Sequence, residues 1–274
     1  MNHAPSNNSE QVNVRRCGVN KTAGVSIVMV VWNQLCYTKL AIESILKNTR
    51  LPLELVIVDN GSRPDVKDYF NSLKDKIDLN YIRNDKNLGS IVAINQGMKA
   101  ASRGYIAVIH NDAIILEDGW LEKIQSVMDN DPRIGIAGLA GRKEIYKTGC
   151  VNEETLKHNL QNEDLVLPMT EDVAEVAVID GLCFVVHKEL LNYIKGLDEV
   201  YGYMHCYDLD LSLQSIEAGF KNVVVKIAAM HIGNGGMTRK LREYKSIVKD
   251  DYALLKKNCK IFARKWQHML PLKV

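Results

Sequence analysis

The apolar run Ile106-Ala107-Val108-Ile109 stops abruptly at His110-Asn111-Asp112, and it is one of a series. Val25–Val31 (VSIVMVV) and residues 53–58 are apolar at most positions, and they end in Trp32-Asn33 and Asp59-Asn60. Strands apolar on both faces are those of a parallel sheet covered by helices. Between the runs the spacing turns helical. Tyr37, Leu40, Ala41, Ser44 and Ile45 mark one helix; Val66, Tyr69, Phe70 and Leu73, after Pro64, mark a second. Leu88, Ile91, Val92, Asn95 and Met98 mark a third, and residues 79–83 read as a short strand. This β-α-β-α-β-α-β order predicts one Rossmann-like, mostly parallel α/β sheet with helices on both faces. Polar strand ends then converge on one crevice: Trp32-Asn33, Asp59-Asn60, Asn84-Asp85 and His110-Asn111-Asp112. A carboxylate at such an edge suits a divalent cation bridging two phosphates. The plainer alternative is an Asp that caps the helix expected from Glu117 onward.

The second half is less regular. A helix is expected over 120–128 and strands over 134–139, 176–179, 182–187 and 223–229, the last ending at Met230-His231. Residues 148–172 are polar and poorly periodic and predict a flexible loop or lid. Residues 207–219 read as a helix. In the tail, Leu241, Tyr244, Val248, Tyr252, Leu255, Cys259, Phe262 and Trp266 recur every three or four residues. That stripe predicts an amphipathic helical segment docked on the body. The expected division is a disordered tail over 1–23, a domain over 24–236 with halves at about 24–115 and 116–236, and a basic helical extension over 237–274.

Charge is unevenly placed. The net value is +2, yet residues 237–274 carry eleven Lys/Arg against three Asp/Glu. Such an end suggests an anionic contact, either a phosphate-rich substrate or an acidic membrane surface, with a solvated helix face as the bland alternative. Six cysteines without a C-x-x-C pair predict neither a zinc site nor a redox motif, and fit reduced thiols in the cytoplasm. Nothing reads as a signal peptide or a membrane span.

Rival nucleotide signatures are missing. G-x-x-x-x-G-K-[ST] does not occur, the first strand is followed by Trp32-Asn33-Gln34 instead of G-x-G-x-x-G, and no G-x-S-x-G elbow is present. Four segments instead resemble the family 2 inverting glycosyltransferases with the GT-A fold. They are SIVMVVWNQLCYTKLAIESIL, ELVIVDNGS, NDKNLGSIVAINQGMKAASRGYIAVIHND and GLDEVYGYMHCYDLDLSLQSIEAG, and together they run from about Val25 to about His231. The third is similar to that family's N-x-G-x₃-A-x-N-x-G-x₃-A-x-G-x-Y signature followed by D-x-D. The fourth is similar to its G-F-D-E…E-D-x-D-L motif. Two positions depart: His110 stands for the first D-x-D acid, and Tyr207 for the Glu before Asp208. A streptomycin-biosynthesis-type branch with a His-x-Asp strand end resembles this pattern.

The resemblance implies a GT-A fold with a mixed acceptor-side half, a nucleoside-diphosphate sugar donor and inversion. It implies nucleotide-sugar contacts at Trp32, Asn33, Asp59, Asn60, Asn84, Asn87, Asn111 and Asp112. It implies Mn²⁺ or Mg²⁺ held by Asp112 and His231 with His110 as a further ligand, a base at Asp208 or, as runner-up, Asp210, and an acceptor-side loop at Asp180-Gly181. Arg239, Lys240 and Arg242 follow Gly233-Asn234-Gly235-Gly236 and are candidates to close over a diphosphate. The expected acceptor is a glycan, a lipid-linked molecule or a small molecule, with peripheral membrane contact through the basic segment and no nucleic acid. Two other functions compete. A sugar-phosphate nucleotidyltransferase would want a Gly-rich basic loop after the first strand, which Trp32-Asn33-Gln34-Leu35 does not offer. A degenerate domain binding nucleotide or glycan without turnover is kept open by His110 and Tyr207.

Overall fold

The computed structural model describes residues 24–161, 169–232 and 241–274. The tail over 1–23, the Gly-rich turn at 233–236, and Arg239 and Lys240 lie outside them. The first apolar runs form β1 (Val25–Val31), β2 (Leu53–Asp59), β3 (Leu79–Arg83) and β4 (Tyr105–Ile109), separated by α1 (Leu35–Asn48), α2 (Pro64–Asn71) and α3 (Ser90–Ala100). Pro64 opens α2 at a position where its missing N–H is no loss. These strands run parallel in the order β3-β2-β1-β4. The order reverses at β1, so a crevice opens at the carboxyl ends of β1 and β4.

The remaining strands turn the sheet mixed. In chain order they are β5 (Ala113–Ile115), β6 (Ile134–Gly138), β7 (Ala140–Arg142), β8 (Glu144–Ile145), β9 (Leu156–His158), β10 (Val173–Val176), β11 (Val178–Ile179) and β12 (Cys183–His187). β13 (Lys221–Val225), β14 (Ala229–His231) and β15 (Leu272–Lys273) follow. β12 lies antiparallel between β4 and β6, β13 is parallel to β6, and β10 closes that edge antiparallel to β13. The main sheet is eight-stranded, in the order β10-β13-β6-β12-β4-β1-β2-β3.

Each face of the sheet carries its own apolar layer, because successive side chains point to opposite sides. Ile27, Met29 and Val31 join one cluster with Ile42 and Ile45 of α1, Phe70 of α2, and Trp120 and Ile124 of α4 (Trp120–Asn130). Val28, Val56 and Val108 join the other, with Ile91 and Ile94 of α3 and Leu211 and Leu213 of α6 (Tyr207–Glu217). A one-turn helix, α5 (Leu190–Tyr193), follows β12.

Three sequence-based expectations are corrected. The loop expected over 148–172 is partly a small sheet: β9 and β11 flank β7, and His158 is buried. Strands of two and three residues are too short to display a period. The single strand expected over 223–229 is two, since β13 ends at Val225 and β14 belongs to a separate ladder with β5. The tail stripe is broken between α7 (Arg242–Ile247) and α8 (Asp251–Lys265), where Asp250 caps α8 by accepting from the Ala253 N–H. The phase shifts there, leaving Tyr252 exposed while Phe262 and Trp266 are buried in the cluster shared with α6. β15 then pairs with β8.

Asp210 anchors this docking. It is fully buried, and its carboxylate accepts from the Tyr201 hydroxyl at 2.9 Å, the Trp266 indole N–H at 2.7 Å and the Gln214 amide at 2.8 Å, with Lys265 Nζ at 2.8 Å. A buried charge is tolerated only when paired and hydrogen-bonded. Asp210→Ala strands an indole and a phenol at once and leaves Lys265 only Asp198, and is expected to cost about 3–5 kcal/mol of unfolding free energy. Urea denaturation of the variant against the parent measures it, and a loss below about 1 kcal/mol would contradict the anchoring role.

Candidate functional site

Asp112 sits three residues beyond the end of β4, where the chain turns into β5. β14 pairs antiparallel with β5 and sets His231 opposite Ala113. The Ile232 N–H donating to the Asp112 carbonyl at 3.0 Å extends that ladder. This pairing brings His231 Nε2 to 3.3 Å from the Asp112 carboxylate across nearly 120 residues of chain. His110 Nδ1 lies 4.0 Å from the same oxygen, and the two imidazole rings are 5.7 Å apart. One ligand atom from each of His110, Asp112 and His231 lies within 4.8 Å of the others. Burial works against the Asp112 charge, but hydrogen bonding from His231 and the charges of both histidines hold its pKa below the usual carboxylate value. Two imidazoles and a carboxylate form a donor set that suits a divalent ion accepting nitrogen and oxygen.

A second group faces the first across the turn between β11 and β12. The His110 N–H donates to the Leu182 carbonyl at 2.9 Å, fixing the end of β4 against that turn. Asp180 accepts from the Leu182 N–H at 3.0 Å and pairs with Arg142 at 2.9 Å. The Gly181 N–H donates to Asp208 Oδ2 at 2.9 Å. Only glycine fits there, because a Cβ would meet the Tyr207 hydroxyl at 2.4 Å. The helix cap is Cys206, so Asp208 occupies the first turn of α6, and it also accepts from the Leu209 N–H. Burial, then the charge of Asp180, push the Asp208 pKa up to about 6. Arg142 has the reverse effect on Asp180, whose pKa falls although burial opposes it. A cavity of about 40 Å³ is lined by Arg142, His158, Asp180 and His231 among others.

The expected nucleotide-side residues are largely engaged with one another and with the main chain of the strand-end loops. Asp59 is buried, accepting from the Ser62 N–H at 2.8 Å, the Tyr81 hydroxyl and the Arg83 guanidinium. Asn60 donates to Asn87 at 2.8 Å and to the Gly89 carbonyl at 3.1 Å, and accepts from Asn84 at 3.1 Å and the Leu88 N–H at 3.0 Å. Asn33, with φ +58°, bonds the Ser62 hydroxyl and the Arg63 N–H, and Asn111 donates to Thr38 at 3.0 Å. These side chains build the loops at the strand ends. Asn33, Asp59 and Asn60 are buried, whereas Trp32, Asn84, Asn87 and Asn111 are partly exposed.

The runner-up base is corrected: Asp210 lies inside the core with its oxygens engaged by Tyr201, Trp266 and Lys265, so it cannot face an acceptor. Two residues apart on a helix point to different sides, and Asp208 is partly exposed where Asp210 is buried. Sequence reasoning missed Arg142, Tyr81 and Arg83. Arg142 is 38 residues from Asp180 and carries no local signal, whereas Tyr81 and Arg83 stand on a strand beside Asp59 and were legible only as strand residues.

The comparisons with known proteins bear on the family and the fold. The model for "Glycosyl transferase family 2" matches residues 26–180, more than half of the chain. An uncharacterized glycosyltransferase of Haemophilus influenzae is 29% identical over 147 residues, covering 49% of this chain and 45% of its own. The chain spans less than half the length of the curated relatives it matches. Among solved structures, GalNAc-T7 with UDP, GalNAc and Mn²⁺ superposes with a TM-score of 0.63 at 16% identity, covering 92% of this chain and 52% of the other. The mannosyltransferase PcManGT from Pyrobaculum calidifontis, with GDP-Man and Mn²⁺, gives 0.60 at 13% identity, covering 92% and 71%. The sheet is thus that of the GT-A glycosyltransferases, and the chain belongs to glycosyl transferase family 2.

Proposed function

We propose that the protein transfers a glycosyl group from a nucleoside-diphosphate sugar to an acceptor hydroxyl, with inversion and with help from a divalent metal ion. The carrying observation is that Asp208, a carboxylate of raised proton affinity, shares one sheet edge with the His110-Asp112-His231 cluster. Asp112, His231 and His110 would hold the ion, and their mixed nitrogen and oxygen donors suit Mn²⁺ better than Mg²⁺. When bound, such an ion neutralises charge on a diphosphate leaving group. The rest falls to the chain. Trp32 and the loops built by Asn33, Asp59, Asn60, Asn84, Asn87 and Asn111 line the nucleotide crevice. Gly181 orients Asp208 through its N–H, and Asp208 accepts the proton of the acceptor hydroxyl. Asp180, held by Arg142, takes the acceptor side. The His-x-Asp strand end supports the streptomycin-biosynthesis-type branch.

The direct test is release of nucleoside diphosphate from a panel of nucleotide sugars with and without Mn²⁺. Metal-dependent release should fall about a hundredfold or more in Asp112→Ala and in His231→Ala. Sugar binding without release would instead indicate a degenerate domain. Pyrophosphate release from a nucleoside triphosphate and a sugar phosphate would indicate a nucleotidyltransferase.

Asp208→Asn is expected to lower kcat by about 10²–10⁴ with KM little changed. Turnover of the parent should rise with pH through about 6, since the base works ionised. Stability should move oppositely. A folded-state pKa above the unfolded value means that the native state binds the extra proton, so stability falls as pH rises towards and through about 6. Asp208→Asn should therefore raise Tm at pH 8 and leave it nearly unchanged at pH 4. An unaltered kcat, or a Tm gain confined to low pH, would remove Asp208 from this role.

We further propose that the basic C-terminal segment brings the enzyme to an anionic membrane surface at the cytoplasmic side, where a lipid-linked acceptor would lie. No helix of the described residues is long and apolar enough to cross a membrane. An open groove of about 710 Å³ along α8 is lined by Lys256, Lys257, Lys260 and Arg264. Among the described residues these four have no carboxylate partner, whereas Lys265 pairs with Asp198 and Asp210. Each cation near an anionic bilayer adds about 1 kcal/mol. Sedimentation with phosphatidylglycerol vesicles should be lost in a Lys256→Glu, Lys260→Glu, Arg264→Glu triple variant and in high salt. Equal binding to neutral phosphatidylcholine vesicles would contradict it.

A further inference from the structure

The segment before Asp208 holds an unusual backbone. Gly202, His205 and Cys206 all have positive φ, at 72°, 72° and 61°. For the two non-glycine residues this conformation is intrinsically unfavourable and persists only where contacts enforce it. The contacts come from α8. Asn258, fully buried, donates to the carbonyls of Tyr201 at 2.8 Å and Met204 at 2.7 Å, and His205 Nε2 lies 2.9 Å from the Asp251 carboxylate. The same seam places Cys206 Sγ 3.8 Å from Cys259 Sγ. Cys206 is buried, Cys259 is partly exposed, and Cys150 is exposed beside Cys259.

Hydrogen bonds from Cys206, and then from Cys150, draw the Cys259 pKa down to about 7 against the effect of burial. The Cys259 contact, and then burial, push Cys206 the other way. One sulfur is thus ready to react, and its neighbour is shielded but within reach.

We propose that Cys206 and Cys259 are a peroxide-oxidised, dithiol-reducible disulfide site that staples the Asp208-bearing end of α6 to α8. The Cys259 thiolate attacks one oxygen of hydrogen peroxide, the O–O bond breaks, and hydroxide leaves to take up a proton as water. The sulfur is then a sulfenic acid. Cys206 gives up its proton, its sulfur attacks the sulfenic sulfur, the S–O bond breaks and the second water leaves. Two thiols and one peroxide become one disulfide and two waters. Closing the sulfur separation to about 2.05 Å asks for a shift of under 2 Å, which the irregular 202–206 segment can supply. The staple itself is independent of the proposed glycosyl transfer, and its effect on turnover rests on that reading.

The full chain, treated with stoichiometric hydrogen peroxide and then alkylated, should yield a crosslinked peptide pair containing Cys206 and Cys259, 2 Da lighter than the thiols and lost on adding dithiothreitol. Cys150→Ser should keep the crosslink and Cys259→Ser should lose it. The oxidised protein should melt at a higher temperature than the reduced one, a readout that needs no enzyme activity. A crosslink of Cys150 to Cys259, a sulfinic acid at Cys259, or oxidation confined to Cys36 would each overturn the proposal. Turnover should differ several-fold between the oxidised and reduced forms. A mapped disulfide with no turnover in either form would count against glycosyl transfer and leave the staple standing, and a mapped disulfide with equal turnover in both would overturn its placement on the Asp208 segment.

Discussion

Both halves of the candidate site are tied through the backbone of Asp180, Gly181 and Leu182. The Leu182 carbonyl receives the N–H of His110, the Gly181 N–H holds Asp208, and the Asp180 N–H donates to the Ala140 carbonyl. The strand that follows, β12, is antiparallel to both of its neighbours and joins the parallel half of the sheet to the rest. Two main-chain hydrogen bonds and one from the main chain to a carboxylate thus place the end of β4, the start of α6 and the rim of the small sheet in fixed relation. Because such bonds are short and directional, displacement of this turn would move the His-Asp-His cluster relative to Asp208. Glycine at 181 is what lets the main chain pass close enough to Tyr207 for the Asp208 contact.

The C-terminal helices extend that constraint outward. Asp210, two residues beyond Asp208, is buried against Tyr201, Trp266 and Lys265, so the helix that presents one aspartate to the cleft is clamped by the other from behind. Asn258 and Asp251 hold the preceding segment from the same side. The basic face of α8 lies on the opposite side of that helix from Phe262, whose ring is buried. One helix therefore carries a charged outer surface and an inner surface that shapes the chain leading to Asp208.

The parallel half was legible in the sequence because β1, β2 and β4 are buried on both faces and stop at polar residues, a pattern independent of tertiary detail. The convergence of His110 and Asp112 with His231 was legible only through the family resemblance, since the ladder that joins them spans three residues on each side. Asp208 and Asp210 were both candidates because sequence spacing says that they point apart but not which one meets solvent. That is decided by Trp266 and Tyr201, which arrive from other elements. Arg142 was illegible for the same reason: its side chain reaches Asp180 only because β7 and β11 pair. The thiol pair left no pattern either, as 52 residues separate Cys206 from Cys259 and neither belongs to a spaced motif.

Two carboxylates one residue pair apart across a turn behave oppositely, and the cause lies in their partners. Asp180 meets a guanidinium, so its negative charge is favoured in a setting that would otherwise protonate it. Asp208 meets only main-chain N–H groups and the charge of Asp180 itself, so it binds its proton more tightly. The first charge raises the second pKa. Arg142 therefore acts on Asp208 at one remove, by keeping Asp180 ionised. A pair of titratable groups pushed apart in this way is the signature of divided roles in acid-base chemistry. The proposed roles, a charged positioning group at Asp180 and a proton acceptor at Asp208, would draw on that difference.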